Sequence, residues 1–130
     1  MVTTTRPGAV IFTGDQKRLA NFYQAMTGLA IQSADDRHTV LASDTFELVI
    51  HALGEEPAVG APPRAREDSH IKLFFPVVSL SNARARAAAL GGRLRPEDEE
   101  WEGRGFRACD GIDPDGNVIQ FREVPFGGRS

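Results

Sequence analysis

Glu47 and His51, His70 and Lys72, and Gln120 and Arg122 are three pairs of polar residues two or four positions apart, each set in an otherwise apolar stretch. A carboxylate and an imidazole can ligate a metal or move a proton, and a carboxamide can hydrogen-bond a ligand. An ammonium or a guanidinium can meet an anionic or carbonyl-bearing molecule. Residues two apart on an extended chain share one face. Phe46, Leu48 and Ile50 therefore oppose Glu47, Val49 and His51, and Ile71, Leu73 and Phe75 oppose His70, Lys72 and Phe74. In the same way Ile119 and Phe121 oppose Val118, Gln120 and Arg122, and Ala9 and Ile11 oppose Gly8, Val10 and Phe12. The mixed faces have two readings. One is the solvent side of an antiparallel sheet. The other is the lining of a cleft, with Phe12 and Phe74 as apolar walls. Lys72 in such a cleft is a candidate base or Schiff-base nucleophile, the plainer alternative being an ion pair with Glu47 across the sheet.

The apolar faces need helices to cover them. Asp15 is suited to cap a helix whose Leu19, Phe22, Tyr23 and Met26 recur at helical spacing, and Gly28 is suited to end it. Ser79 is suited to cap a second helix with Leu80, Ala83, Ala87 and Leu90 inward, closed by Gly91 and Gly92. Around the first helix, strands are expected at Ala9–Phe12, Leu29–Ser33, His38–Ala42 and Thr45–Ala52. Around the second they are expected at His70–Val78, near Arg93–Arg95, at Phe106–Cys109 and at Asn117–Glu123. Asp113-Pro114-Asp115-Gly116-Asn117 reads as a tight turn. Residues 54 to 68 hold three prolines and two glycines and read as a linker. The expected organisation is one domain over residues 1–130, built as two βαβββ modules, 8–53 and 69–125. The class is α+β and mostly antiparallel, since two helices are too few for parallel crossovers between so many strands.

Composition narrows the function. The chain has 130 residues, 41% hydrophobic and 25% charged, in the range of an ordinary globular domain. Eighteen acidic against 15 basic residues give a net charge of −3, which argues against sequence-independent nucleic-acid binding. No apolar run reaches the roughly 20 residues of a membrane span. Met1 to Pro7 lacks the apolar core of a signal peptide, so a cytoplasmic protein is expected. Cys109 is the only cysteine and is expected to be a buried hydrophobe rather than a reactive thiol. The acidic run Glu97-Asp98-Glu99-Glu100 beside Trp101 reads either as a clamp for a cationic aromatic molecule or as a solvated loop.

Gly14-Asp15 through Phe22-Tyr23 and Thr27-Gly28-Leu29 resembles the N-terminal signature of the vicinal oxygen chelate superfamily, which includes glyoxalase I, the bleomycin resistance proteins and the extradiol dioxygenases. Trp101-Glu102-Gly103-Arg104-Gly105-Phe106 and Asp113-Pro114-Asp115-Gly116-Asn117 through Phe121 resemble its C-terminal elements. The resemblance spans nearly the whole chain. It implies paired modules whose sheets curve around a shared cleft, with a small-molecule ligand and a homodimeric assembly.

In metal-dependent members of that superfamily, four side chains from four strands hold a divalent ion. By the resemblance, those positions fall here on Gly8, Lys72 and Gln120, and on His51 or Glu47. Glycine has no donor, an ammonium has no lone pair, and a catalytic zinc normally needs three protein ligands. His51, His70, Gln120 and Glu47 are the residual metal candidates, His70 only after a two-residue shift along its strand. The expected function is therefore small-molecule binding, such as drug or metabolite sequestration, without a cofactor and with no catalytic residue assigned. The expected ligand contacts are Phe12, Glu47, His51, Lys72, Phe74, Trp101, Gln120 and Arg122. The alternatives are a metal-dependent lyase, isomerase or dioxygenase with a rearranged ion site, and a structural or regulatory dimer with no ligand.

Overall fold

The computed structural model describes residues 6–54, 63–66 and 68–124. Two compact units divide the chain, Met1–Gly60 and Ala61–Ser130. In the first, strand β1 (Gly8–Thr13) leads into helix α1 (Gln16–Thr27), followed by β2 (Ala30–Ala34), β3 (His38–Ala42) and β4 (Glu47–Ala52). The sheet order is β1-β4-β3-β2, with β1 parallel to β4 and the other pairs antiparallel. Asp15 caps α1 by accepting the Arg18 amide, and Gly28 ends it at φ 75° with its own N–H on the Gln24 carbonyl. The helix buries Leu19, Ala20, Phe22, Tyr23 and Met26, and it packs across β3 and β4, where Leu41, Leu48 and Ile50 are buried. At roughly 1.5–3 kcal/mol for each large apolar side chain, this layer is the main source of the unit's stability.

β4 starts two residues later than the alternation predicts. Ser43 N–H donates to the Phe46 carbonyl, so Thr45 and Phe46 belong to the hairpin turn. β2 is an edge strand with a register break between Ile31 and Ser33, an irregularity that discourages pairing with another chain.

The second unit holds β5 (Leu73–Val77), α2 (Leu80–Ala89), β6 (Arg93–Leu94), β7 (Trp101–Glu102), β8 (Arg107–Ile112) and β9 (Val118–Glu123). The order is β5-β9-β8-β6, with β7 also on β8 and β5 parallel to β9. Ser79 caps α2 through the Asn82 amide. Leu80, Ala83 and Ala87 are buried, and α2 packs over β6 and β9. The turn before β9 is built on Asp113, whose carboxylate accepts the Asp115 and Asn117 amides at 2.8 and 3.0 Å and the Asn117 side-chain N–H at 2.8 Å.

Two expectations need correction here. The strand expected from His70 begins only at Leu73, because β5 finds its partner from Ile119 onward and Ser69 folds its hydroxyl onto the Ile71 carbonyl. Ile71 is consequently 77% exposed rather than on the core face. The acidic run is not one loop: Glu97–Glu99 form a 3-10 turn, Glu100 turns inward, and β7 follows as a strand the sequence did not reveal. Most of the expected linker, residues 55–62 and 67, lies outside the described residues.

Candidate functional site

The polar face of the second sheet is a grid of three cross-strand rows. Phe74, Gln120 and Asp110 align in the central row, with Arg95 beyond Asp110. On one side of it run Pro76, Arg122, Ala108 and Trp101. On the other run Val118, Ile112 and Arg93, with Lys72 one residue before β5 begins. The face opposite carries Ile119, Phe121 and Cys109, all buried.

The grid is wired together. Lys72 Nζ donates to Asp110 Oδ2 at 2.9 Å, and Gln120 Nε2 donates to Asp110 Oδ1 at 3.0 Å. Arg122 Nε donates to Gln120 Oε1 at 2.7 Å. The Arg122 guanidinium carbon sits 3.5 Å from the centre of the Phe74 ring and 4.2 Å from that of Phe106. Trp101 meets Phe106 edge-on at 6.0 Å. Gln120 is buried to 5% exposure, while Phe74 and Trp101 keep 53% and 43%. Lys72, Phe74, Trp101, Gln120 and Arg122, all expected ligand contacts, are thus brought into one network. Within its own unit Lys72, expected to pair with Glu47, has Asp110 as its partner, and within the other unit Glu47 lies 3.4 Å from Arg6 Nε.

The first sheet also presents three rows on its polar face. Phe12, His51 and His38 align in one, Val10, Val49 and Val40 in the next, and Gly8, Glu47 and Ala42 in the third. The Phe12 and His51 rings lie 5.0 Å apart, and His38 meets His51 edge-on at 4.4 Å. His51 Nδ1 lies 2.9 Å from the Ala52 carbonyl, an arrangement in which the neutral ring donates there and leaves Nε2 as its acceptor. Phe12 is 56% exposed. His38 lies 3.4 Å from Asp35, whose carboxyl is held below its usual range by the Arg37 and His38 backbone amides. This face carries a phenyl ring, two imidazoles, three valines and the Glu47 carboxylate; the other carries Lys72, Arg93, Arg95 and Arg122.

Asp110, Phe106, Arg93, Arg95 and His38 are the members that sequence reasoning missed. Asp110 was within reach: closing the hairpin at Asp113–Asn117 pairs Ile112 with Val118, which puts Asp110 opposite Gln120. His70 is exposed and precedes β5, so it does not join a sheet face.

Three of the four positions that the resemblance assigns to a divalent ion do not suit one. Gly8 has no side chain, and a β-carbon there would collide with the Glu47 carbonyl oxygen. Lys72 brings a positive charge, and Gln120 has its carbonyl oxygen on Arg122 and its N–H on Asp110. Among the described residues no group of three or more His, Cys, Asp or Glu side chains is placed to hold a metal.

A separate cluster sits on the helix side. Glu100 Oε1 accepts from Arg107 Nε at 2.6 Å and its other oxygen from Arg84, with the carboxylate side chain only 5% exposed. Burial alone would raise the Glu100 carboxyl, but the hydrogen bonds from Arg84 and Arg107 outweigh it and hold the group below its usual range. Burial pushes the Cys109 thiol up despite Arg84, which removes it from consideration as a nucleophile.

The glyoxalase-like domain family matches residues 8–121. No curated protein matches the chain. Among solved structures, the chain is similar to a glyoxalase/bleomycin resistance protein/dioxygenase family enzyme from Burkholderia phytofirmans, at TM-score 0.66 and 18% identity over 90% of this chain and 96% of that one. It is similar to a glyoxalase/bleomycin resistance protein from Albidiferax ferrireducens at TM-score 0.63 and 24% identity, over 92% and 98% of the two chains. It is also similar to a mutant of the fosfomycin resistance protein FosX from Listeria monocytogenes, solved with manganese(II) and a dihydroxypropylphosphonic acid, at TM-score 0.65 and 14% identity over 99% and 96%. With a family match over most of its length and a fold shared with these structures, the chain belongs to the glyoxalase-like domain family of the vicinal oxygen chelate superfamily.

Proposed function

We propose that this protein binds a small organic molecule on the polar face of its second sheet, as a sequestering protein and without the superfamily's four-ligand metal centre. The observation that carries the reading is Arg122, whose guanidinium carbon lies over both the Phe74 and the Phe106 ring and which is chained through Gln120 and Asp110 to Lys72. A guanidinium in contact with two rings and hydrogen-bonded to a buried carboxamide loses little further entropy on binding. The half-exposed rings of Phe74 and Trp101 offer π faces beside it. The face therefore suits a planar or aromatic molecule with electron-rich or acidic substituents. No described helix is long and apolar enough to cross a membrane. A cytoplasmic homodimer is the form proposed, which sedimentation velocity tests for assembly and fractionation for location.

Trp101 is the only tryptophan, so its indole N–H resonance is a single reporter beside the proposed site. Titrating benzoate and benzamide into the protein is expected to move that resonance saturably, and Arg122→Met to weaken benzoate binding about tenfold, the loss of one charge-assisted contact and its stack. Two results would overturn the reading: no saturable movement with either probe, or a stoichiometric divalent metal in chelator-free protein that is lost with His51→Ala.

A further inference from the structure

Beside Asp110 on the same face lies a cavity of about 220 Å³. Arg93, Arg95 and Asp110 supply its polar groups, and Ile112, Val118 and Pro96 its apolar wall. Arg93 and Arg95 flank Leu94, which is buried in the core, so alternation directs both to the cavity side. The segment 63–66 closes one edge: Ala65 lines the cavity, and Arg66 N–H donates to the Gly116 carbonyl.

The charges on this face do not balance. Lys72, Arg93, Arg95 and Arg122 are four cations against two carboxylates, Asp110 and Glu99, in a chain whose net charge is −3. Asp110 already has Lys72 on one oxygen and Gln120 on the other. Arg95 is satisfied by Glu99 at 2.9 Å. Among the described residues no carboxylate lies within ion-pair distance of Arg93 or Arg122. A planar guanidinium beside an apolar wall is suited to an oxyanion with a hydrocarbon stem. The cavity is smaller than the roughly 300–1,000 Å³ of drug-sized sites, so its occupant is compact.

We propose that this cavity takes a small organic acid, its carboxylate or phosphonate on Arg93 and its short apolar stem against Ile112 and Val118. The assignment rests on the reading of this face as the ligand-binding one, and it names the ligand class.

The test is an amide-resolved NMR titration with isovalerate, its neutral counterpart isovaleramide, and inorganic phosphate. Isovalerate is expected to move the Gly111, Ile112 and Val118 amides saturably, and isovaleramide to bind at least about tenfold more weakly, as charge-assisted bonds are roughly twice as strong as neutral ones. Arg93→Gln is expected to erase that preference for the acid, and Val118→Phe, which fills the cavity, to abolish both responses. Phosphate binding as tightly as isovalerate would overturn the organic-acid assignment in favour of a bare anion. If benzoate moves Trp101 but isovalerate moves no cavity amide, the inference fails and the proposed function stands. If neither moves anything, both fail.

Discussion

Gln120 donates its side-chain amide to Asp110 across the β8–β9 ladder, 3.0 Å away, while the other carboxylate oxygen holds Lys72. One carboxylate thereby fixes two side chains that carry the polar face. Asp110→Ala leaves the buried Gln120 amide without its acceptor. A loss of about 1–3 kcal/mol in urea unfolding is expected, the cost of an unsatisfied buried donor. Asp110→Asn keeps the shape and removes the negative charge beside the cavity. It is expected to raise isovalerate affinity several-fold in the same NMR titration.

Arg122 tests the stack separately from the charge. Arg122→Lys keeps a cation but loses the planar group over the Phe74 and Phe106 rings. Benzoate affinity is expected to fall about three- to tenfold, in line with the 0.5–2 kcal/mol of cation–π contacts, with the thermal midpoint little changed. Unchanged affinity would show that the rings only pack the arginine.

Glu100 makes stability pH-dependent. Its carboxyl is held below the ordinary value of 4.5 in the folded protein, so the folded state binds its proton later than the unfolded state does. Its contribution is complete above that ordinary value and is lost as pH falls through the depressed one. Urea unfolding of the native protein and Glu100→Gln is expected to show a stability gap that narrows as pH drops from about 6 to about 3. A gap independent of pH would mean the carboxylate charge is immaterial.

Gly116 adopts φ 89°, and a β-carbon there would collide with the Arg64 carbonyl. Gly116→Ala is expected to cost about 1–3 kcal/mol and to release the 63–66 segment from the cavity edge. Hydrogen exchange of the Arg66 amide checks it: exchange should accelerate well beyond that of the β8 amides.

Both helices, their caps and the strands that lack ambiguous flanks were legible in the sequence. Asp15, Gly28 and Ser79 act through local bonds that their own residue types announce. The start of β5 was not legible, because Lys72 and Ile71 continue the alternation with no partner strand to pair them. β7 was hidden for the opposite reason, since its two residues are held by β8 and not by any pattern of their own. Of the candidate site, alternation placed Gln120 and Arg122 on the right face. It could not show that Asp110, thirty-eight positions after Lys72, is what they share. Side-chain partners across strands depend on register, which Asp113–Asn117 sets for β8 and β9 but nothing nearby sets for β5.

β1 runs so close to β4 at Gly8 that the Glu47 carbonyl fills the place where any side chain would begin. An imidazole therefore cannot be introduced at position 8 by exchanging one residue. The main chains of the two strands would have to part first, breaking ladder bonds before any ligand bond could form. Side-chain replacement alone therefore has no downhill route to an ion ligand at position 8, and it is the spacing of the backbone there that withholds one.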